Sequence, residues 1–168
     1  PMMPPAPGIA SLYNQGECQR LYWQCDGCRQ WYQPVFENWH QESARPFCPH
    51  CGSQPEPQDK RRLNLNAEWV PEGCSLTEGG ELVGTPRQTR IASFWMEGPA
   101  ATYQTWQSLA EKLRAAEELY ENTGSQETLK SVINTDWGRP YIRRVGKNSR
   151  SSERLMDRAE QTEKRTVP

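Results

Sequence analysis

The chain has 168 residues, 35% of them hydrophobic, with 14 prolines and a formal net charge of −1; its mean hydropathy is −0.94. So nearly neutral a chain is neither a solvating polyanion nor a basic nucleic-acid coat, and no apolar run approaches the roughly 20 residues that span a bilayer. Low apolar content argues against one continuous core of the usual size, so small ordered modules joined by loops, an incomplete α+β domain, are expected.

Residues 1–16 are rich in proline and glycine and read as a loop leading into a short turn at Ile9-Ala10-Ser11-Leu12-Tyr13. The start, Pro1-Met2-Met3-Pro4-Pro5, lacks the basic region and apolar stretch of a secretory signal, so an intracellular location is expected.

Residues 17–58 carry the strongest chemical signal. Cys25-Asp26-Gly27-Cys28 is followed, after nineteen intervening residues, by Cys48-Pro49-His50-Cys51-Gly52. Each pair can present two thiolates on a tight turn, and two such turns complete a tetrahedral four-sulfur site. Gly27, Pro49 and Gly52 suit turns whose amides point at sulfur. The flanks Leu21-Tyr22-Trp23 and Trp31-Tyr32-Gln33-Pro34-Val35-Phe36 are aromatic and β-branched and read as short strands. Strand, knuckle, strand, knuckle predicts a small zinc ribbon holding one structural Zn²⁺ on Cys25, Cys28, Cys48 and Cys51, with no open position for water. Disulfides from the same cysteines suit a secretory chain and not this one, and a redox pair would need only one motif in a βαβ setting. His40 and His50 are read as solvent-facing, and Cys18 and Cys74 as incidental thiols without partners at ligand spacing.

Residues 59–100 read as connecting loops with short strands. Lys60-Arg61-Arg62 could touch phosphate, although a three-residue basic run is more often a solvated face. Glu68-Trp69-Val70-Pro71 predicts a strand, and 73–84 a mobile glycine-rich loop that lacks the Lys and Ser/Thr of a phosphate cradle. Arg90-Ile91-Ala92-Ser93-Phe94-Trp95-Met96 alternates as a strand with one buried face.

Residues 101–136 predict a helical hairpin. Thr105 is a natural N-cap, and Trp106, Leu109, Ala110, Leu113, Ala116 and Tyr120 recur as one apolar stripe. Gly124 closes the helix in a left-handed conformation. Ser125 is placed to cap a second helix that turns Leu129, Val132 and Ile133 inward. With few apolar residues elsewhere, the surface that should cover the stripe is expected to lie outside the chain. Residues 137–168 read as a flexible basic linker: from Asp136 onward nine basic residues face five acidic ones. Arg139, Arg143 and Arg144 are candidates for phosphate contact, and residues 152–159 for one or two helical turns.

The order of these features resembles the lambda-type GpA family, the large terminase subunit of tailed bacteriophages. The resemblance runs from Leu21-Tyr22-Trp23-Gln24-Cys25 through both cysteine pairs to Trp69-Val70-Pro71. It continues in Ala92-Ser93-Phe94-Trp95-Met96-Glu97-Gly98-Pro99 with Trp106-Gln107-Ser108-Leu109, and in Leu129-Lys130-Ser131-Val132-Ile133-Asn134-Thr135-Asp136-Trp137-Gly138-Arg139-Pro140-Tyr141. The tail from Leu155 to Pro168 is similar to the lead into the family's nuclease domain, so the resemblance covers about 9–168.

The resemblance implies a part of the motor that cuts and packages viral double-stranded DNA in the host cytoplasm, where the large subunit works with a small subunit and the portal. The family's ATPase uses ATP and Mg²⁺, but no Walker A loop, Walker B acids or nuclease aspartates occur here, so no catalytic residue carries over and no turnover is expected of this chain alone. The expected role is structural, a zinc-stapled piece spanning the distal ATPase region and the linker to the nuclease domain, from a truncated prophage reading frame or a split gene. The alternative is a freestanding zinc-ribbon adaptor that binds nucleic acid or protein, with Tyr22, Trp23, Trp31, Tyr32, Phe36 and Trp39 available for base stacking. A motor piece should expose the Trp106–Tyr120 stripe, and an adaptor should bury it.

Overall fold

The structure, a computed structural model, describes residues 8–143. Arg144, most of the basic linker and the helical turns expected over 152–159 lie outside the described residues.

One strand, Gln19–Gln24 (β1), gathers the other elements around it. Its inward residues Leu21 and Trp23 are 7% and 0% exposed. A short helix, Ile9–Gln15 (α1), leads into it. The last two residues of β1 pair antiparallel with Trp31–Tyr32 (β2), at Trp23↔Tyr32 and Gln24↔Trp31. Its middle pairs antiparallel with Glu68–Val70 (β5), with Leu21 opposite Trp69. Its first two residues pair in parallel with Phe94–Trp95 (β8), at Gln19↔Phe94 and Arg20↔Trp95. Between β2 and β5 come the two-residue strands Trp39–His40 (β3) and Arg45–Pro46 (β4), paired with each other, and a short helix Lys60–Leu65 (α2).

The glycine-rich stretch expected to be a loop forms a hairpin of Cys74–Leu76 (β6) and Leu82–Gly84 (β7), in register Ser75↔Val83. The Thr77 carbonyl accepts from Gly80 N–H, and Glu81 N–H donates to Thr77 Oγ1, so the turn is closed locally. The strand expected over 90–96 shortens to β8. Phe94 is exposed and packs edge-on against Trp69 with centroids 5.1 Å apart, instead of facing the core.

The long helix Trp106–Thr123 (α3) begins and ends where its caps dictate. Thr105 Oγ1 accepts from Ser108 N–H at 3.1 Å, and Gly124 takes φ 71°. A second helix, Glu127–Ser131 (α4), has Gln126 at its N-cap position with no side-chain cap bond, and Ser125 N–H instead donates to Thr123 Oγ1. It widens into a π turn over Val132–Asp136.

The α3 stripe has its cover inside the chain. Trp106, Leu109, Ala110, Leu113 and Ala116 are all buried, in one apolar cluster with Leu21, Trp23, Tyr32, Trp39, Leu63 and Trp137. Cys25 and Cys48 belong to the same cluster. The expectation of separate modules and an external neighbour is therefore corrected. Its physical source is tryptophan: polar atoms depress the hydropathy of Trp and Tyr, yet such rings bury about 150–250 Å² each. Trp23 and Trp106 meet at 6.3 Å, and Asn64 ties both ends, accepting from Trp23 Nε1 at 3.0 Å and donating to the Ala100 carbonyl at 2.7 Å. Among the described residues no helix is long and apolar enough to cross a membrane.

Candidate metal centre

The four cysteines converge. Their sulfur atoms all lie within 4.8 Å of one another. Two approaches run between knuckles, Cys25 to Cys51 at 3.6 Å and Cys28 to Cys48 at 3.8 Å. A tetrahedron of sulfurs about 2.3 Å from a central ion has edges of about 3.8 Å, whereas a disulfide would bring two sulfurs to about 2.05 Å. The spacing fits a shared ion, and all six cysteines are free thiols.

The two knuckles share one backbone plan. In the first, Arg29 N–H donates to the Cys25 carbonyl and Cys25 N–H to the Gln30 carbonyl, both at 2.9 Å. In the second, Gly52 N–H donates to the Cys48 carbonyl and Cys48 N–H to the Ser53 carbonyl, both at 2.8 Å. Gly27 sits against the second knuckle: a Cβ there would stand in ordinary contact, 3.4 Å from Ser53 Cβ and 3.6 Å from the Cys51 sulfur.

Burial pushes the Cys48 thiol up to about 12, against the pull of backbone N–H groups of His50 and Cys51 directed at its sulfur. Alone, then, this sulfur keeps its proton, and a bound cation would supply the charge that releases it. Four sulfurs fill a tetrahedral shell, so the set suits a structural ion and leaves no ligand position for a substrate. The donors can hold a metal ion. His40 and His50 are exposed and outside the cluster, with His40 Nδ1 2.9 Å from Ser43 Oγ and His50 Nε2 3.3 Å from the Trp31 carbonyl. Cys18 and Cys74 also lie outside it.

Of the six basic candidates, two are committed to internal ion pairs. Arg62 donates twice to Asp26, at 3.1 and 2.6 Å, and once to Asp59. That fork holds the Asp26 carboxyl below its ordinary range and braces the first knuckle from outside. Arg139 bridges Glu37 at 2.5 Å and buried Glu97 at 3.8 Å, and its guanidinium lies 5.4 Å from the centre of the Phe36 ring. Glu97 also faces Arg20 at 3.8 Å and accepts from Phe36 N–H at 3.0 Å, while burial raises its pKa. Lys60 is half-buried: its Nζ donates to the Gln104 carbonyl at 2.8 Å, and desolvation brings it down to about 8. Arg61 and Arg143 are exposed, and Arg144 lies outside the described residues.

Lys60 and Arg61 line an open cleft of about 650 Å³ between residues 57–65 and 102–106. No acidic side chain lines it. Nothing local in the sequence marks this cleft, because its walls are some 40 residues apart.

These features define a small α+β unit built around a four-cysteine cluster that could bind a metal, with a two-helix layer packed on it. Residues 1–69 match the sequence model of the phage terminase large subunit gpA, ATPase domain, and residues 91–168 match that of the terminase large subunit gpA, endonuclease domain. The chain belongs to the gpA family of phage terminase large subunits. No curated protein and no solved structure matches it. The cysteine cluster thus falls in the ATPase-matched half, and the helices α3 and α4 in the endonuclease-matched half.

Proposed function

We propose that the chain works within a phage terminase large subunit in viral DNA packaging, and that its own contribution is structural. Cys25, Cys28, Cys48 and Cys51 hold one Zn²⁺ in a zinc ribbon, which staples together residues of the ATPase and endonuclease regions. The remainder of the large subunit, the small subunit, the portal and double-stranded DNA are its partners on this reading, in the cytoplasm of a bacterial host. The observation that carries it is the mutual approach of the four sulfurs to within 4.8 Å.

Burial of the α3 stripe under the chain's own cysteine module is the outcome assigned above to a freestanding zinc-ribbon adaptor and not to a motor piece; the motor reading is supported instead by the two terminase models that the chain matches. Elemental analysis tests the metal: the wild-type chain and Cys18→Ser should each carry one zinc, and Cys25→Ser and Cys48→Ser should lose it. Unchanged zinc in either ligand variant rejects the assignment.

A second reading concerns nucleic acid, favoured by the cleft whose only charged lining residues are Lys60 and Arg61. Phosphate contact falls to those two residues, with Arg143 and Arg144 beyond them, whereas Arg62 and Arg139 are spent on carboxylates. Arg61→Gln should weaken duplex DNA binding and flatten its salt dependence by about one ion, while Arg62→Gln leaves both unchanged. Equal effects from the two variants would remove the cleft from consideration.

A further inference from the structure

Residues 132–141 adopt a conformation that the backbone alone does not favour. A π turn at Val132–Asp136 is a rare geometry. It is followed by fully buried Trp137 and by Gly138, at φ 67°, where a Cβ would stand 3.0 Å from the Met96 carbonyl oxygen. One side of the segment is held by residues 95–112, where Trp95 Nε1 and Gly98 N–H donate to the Gly138 and Trp137 carbonyls and Lys112 pairs with Asp136; the other side is held by the stretch between the two knuckles. Phe36 and Trp39 both meet the Trp137 ring edge-on, with centroids at 4.8 and 5.1 Å. Glu37 takes the Arg139 guanidinium, and Glu97 completes the clasp by accepting from Phe36 N–H and facing Arg139.

The stretch that supplies Phe36, Glu37 and Trp39 has little structure of its own: one 3₁₀ turn and the two-residue strands β2, β3 and β4. Cys28 and Cys48 bound it, and joining them through an ion closes a loop that would otherwise be open at its base. Phe47 N–H donates to the Asn38 carbonyl at 2.8 Å, so the second knuckle leads directly into the turn that carries the two rings.

We infer that metal binding at the four cysteines and the seating of Trp137 and Arg139 are thermodynamically coupled, so that the centre sets the conformation of residues 132–141. The inference rests on the metal reading above. Linkage makes it reciprocal: whatever unseats residues 132–141 weakens metal binding by the same factor.

The test is zinc affinity of the full chain, measured by competition with a chromophoric chelator. Arg139→Gln and Glu37→Gln break the exposed half of the clasp, and Trp137→Leu removes its ring. Arg139→Gln and Trp137→Leu should each lower zinc affinity at least about fivefold, the low end of common coupling. Glu37→Gln should lower it less, and Arg139→Gln added to Glu37→Gln should cost less than the two singly. Val70→Ala, a buried truncation on β5 outside the apolar cluster that contains Cys25, Cys48 and Trp137, should leave affinity within about twofold. In parallel, zinc should slow hydrogen exchange at the Trp137 and Arg139 amides, which donate to the Val132 and Ile133 carbonyls. Zinc bound with unaltered affinity in Arg139→Gln and Trp137→Leu overturns the coupling and leaves the metal reading standing. An equal loss in Val70→Ala overturns it too, as general destabilisation. A wild-type chain that binds no zinc refutes the metal reading itself.

Discussion

Arg29 and Gly52 hold one place in two turns. Each follows the second cysteine of its pair, each donates its N–H to the carbonyl of the first, and each is left-handed, at φ 63° and 76°. Glycine enters that region freely, whereas an arginine there crowds its Cβ against the following carbonyl by about 1–2 kcal/mol. Arg29→Gly should therefore raise stability by about 1 kcal/mol in urea unfolding at saturating zinc, the gain being offset partly by the freer unfolded chain. Gly52→Ala should lower it by a similar amount.

Asn64 joins three elements through one amide, meeting the buried Trp23 indole and the Ala100 carbonyl. Asn64→Leu should cost about 1–3 kcal/mol, because it leaves Trp23 Nε1 buried without an acceptor. Chemical denaturation followed by tryptophan fluorescence checks this, and a loss below about 0.5 kcal/mol would mean that water takes over the bond.

Lys60 gives stability a pH dependence of a definite sign. Its pKa falls from 10.5 to about 8 on folding, because desolvation disfavours the ammonium. Between those values the unfolded chain binds the proton and the folded chain does not, so the contribution of this residue to stability rises with pH across that window. Below pH 8 the burial penalty is present in full. At saturating zinc, which keeps the cysteines from titrating, Lys60→Gln should show a smaller rise from pH 8 to 10 than the wild type.

A shared core has a consequence for unfolding. Since Cys25 and Cys48 lie in one apolar cluster with Leu109, Leu113 and Trp106, the cysteine module and the α3–α4 layer should melt together. Thermal scans by far-ultraviolet dichroism and by tryptophan fluorescence should coincide, and a chelator should shift both to lower temperature. A helical signal left intact after chelation would show two independent units instead.

What could be read from the sequence was what short-range chemistry decides. The two Cys-x-x-Cys spacings announce a four-sulfur cluster, and Thr105 and Gly124 set the ends of α3 through bonds to residues three or four away. Six residues of α3 repeat at helical intervals, and the five that precede Tyr120 in that stripe are buried. What covers them was not legible, because the cover is aromatic and arrives from residues 21–39, some 70 or more positions earlier. The roles of Arg62 and Arg139 were hidden for the same reason: Asp26 is 36 residues from one and Glu37 is 102 from the other. A basic run looks the same in sequence whether its charges face solvent or carboxylates. The parallel pairing of β1 with β8 has no local mark at all.

That pairing also bears on how the molecule could be divided. Residues 85–92 are almost wholly exposed and carry no strand or helix, yet they lie where the two matched regions part. Cutting the backbone there should not free the pieces, because β1 keeps hold of β8 and Trp23 of Trp106. Two polypeptides made apart, ending and beginning at that stretch, should find each other and elute as one species, a split pair whose reassembly reports on every seam between them.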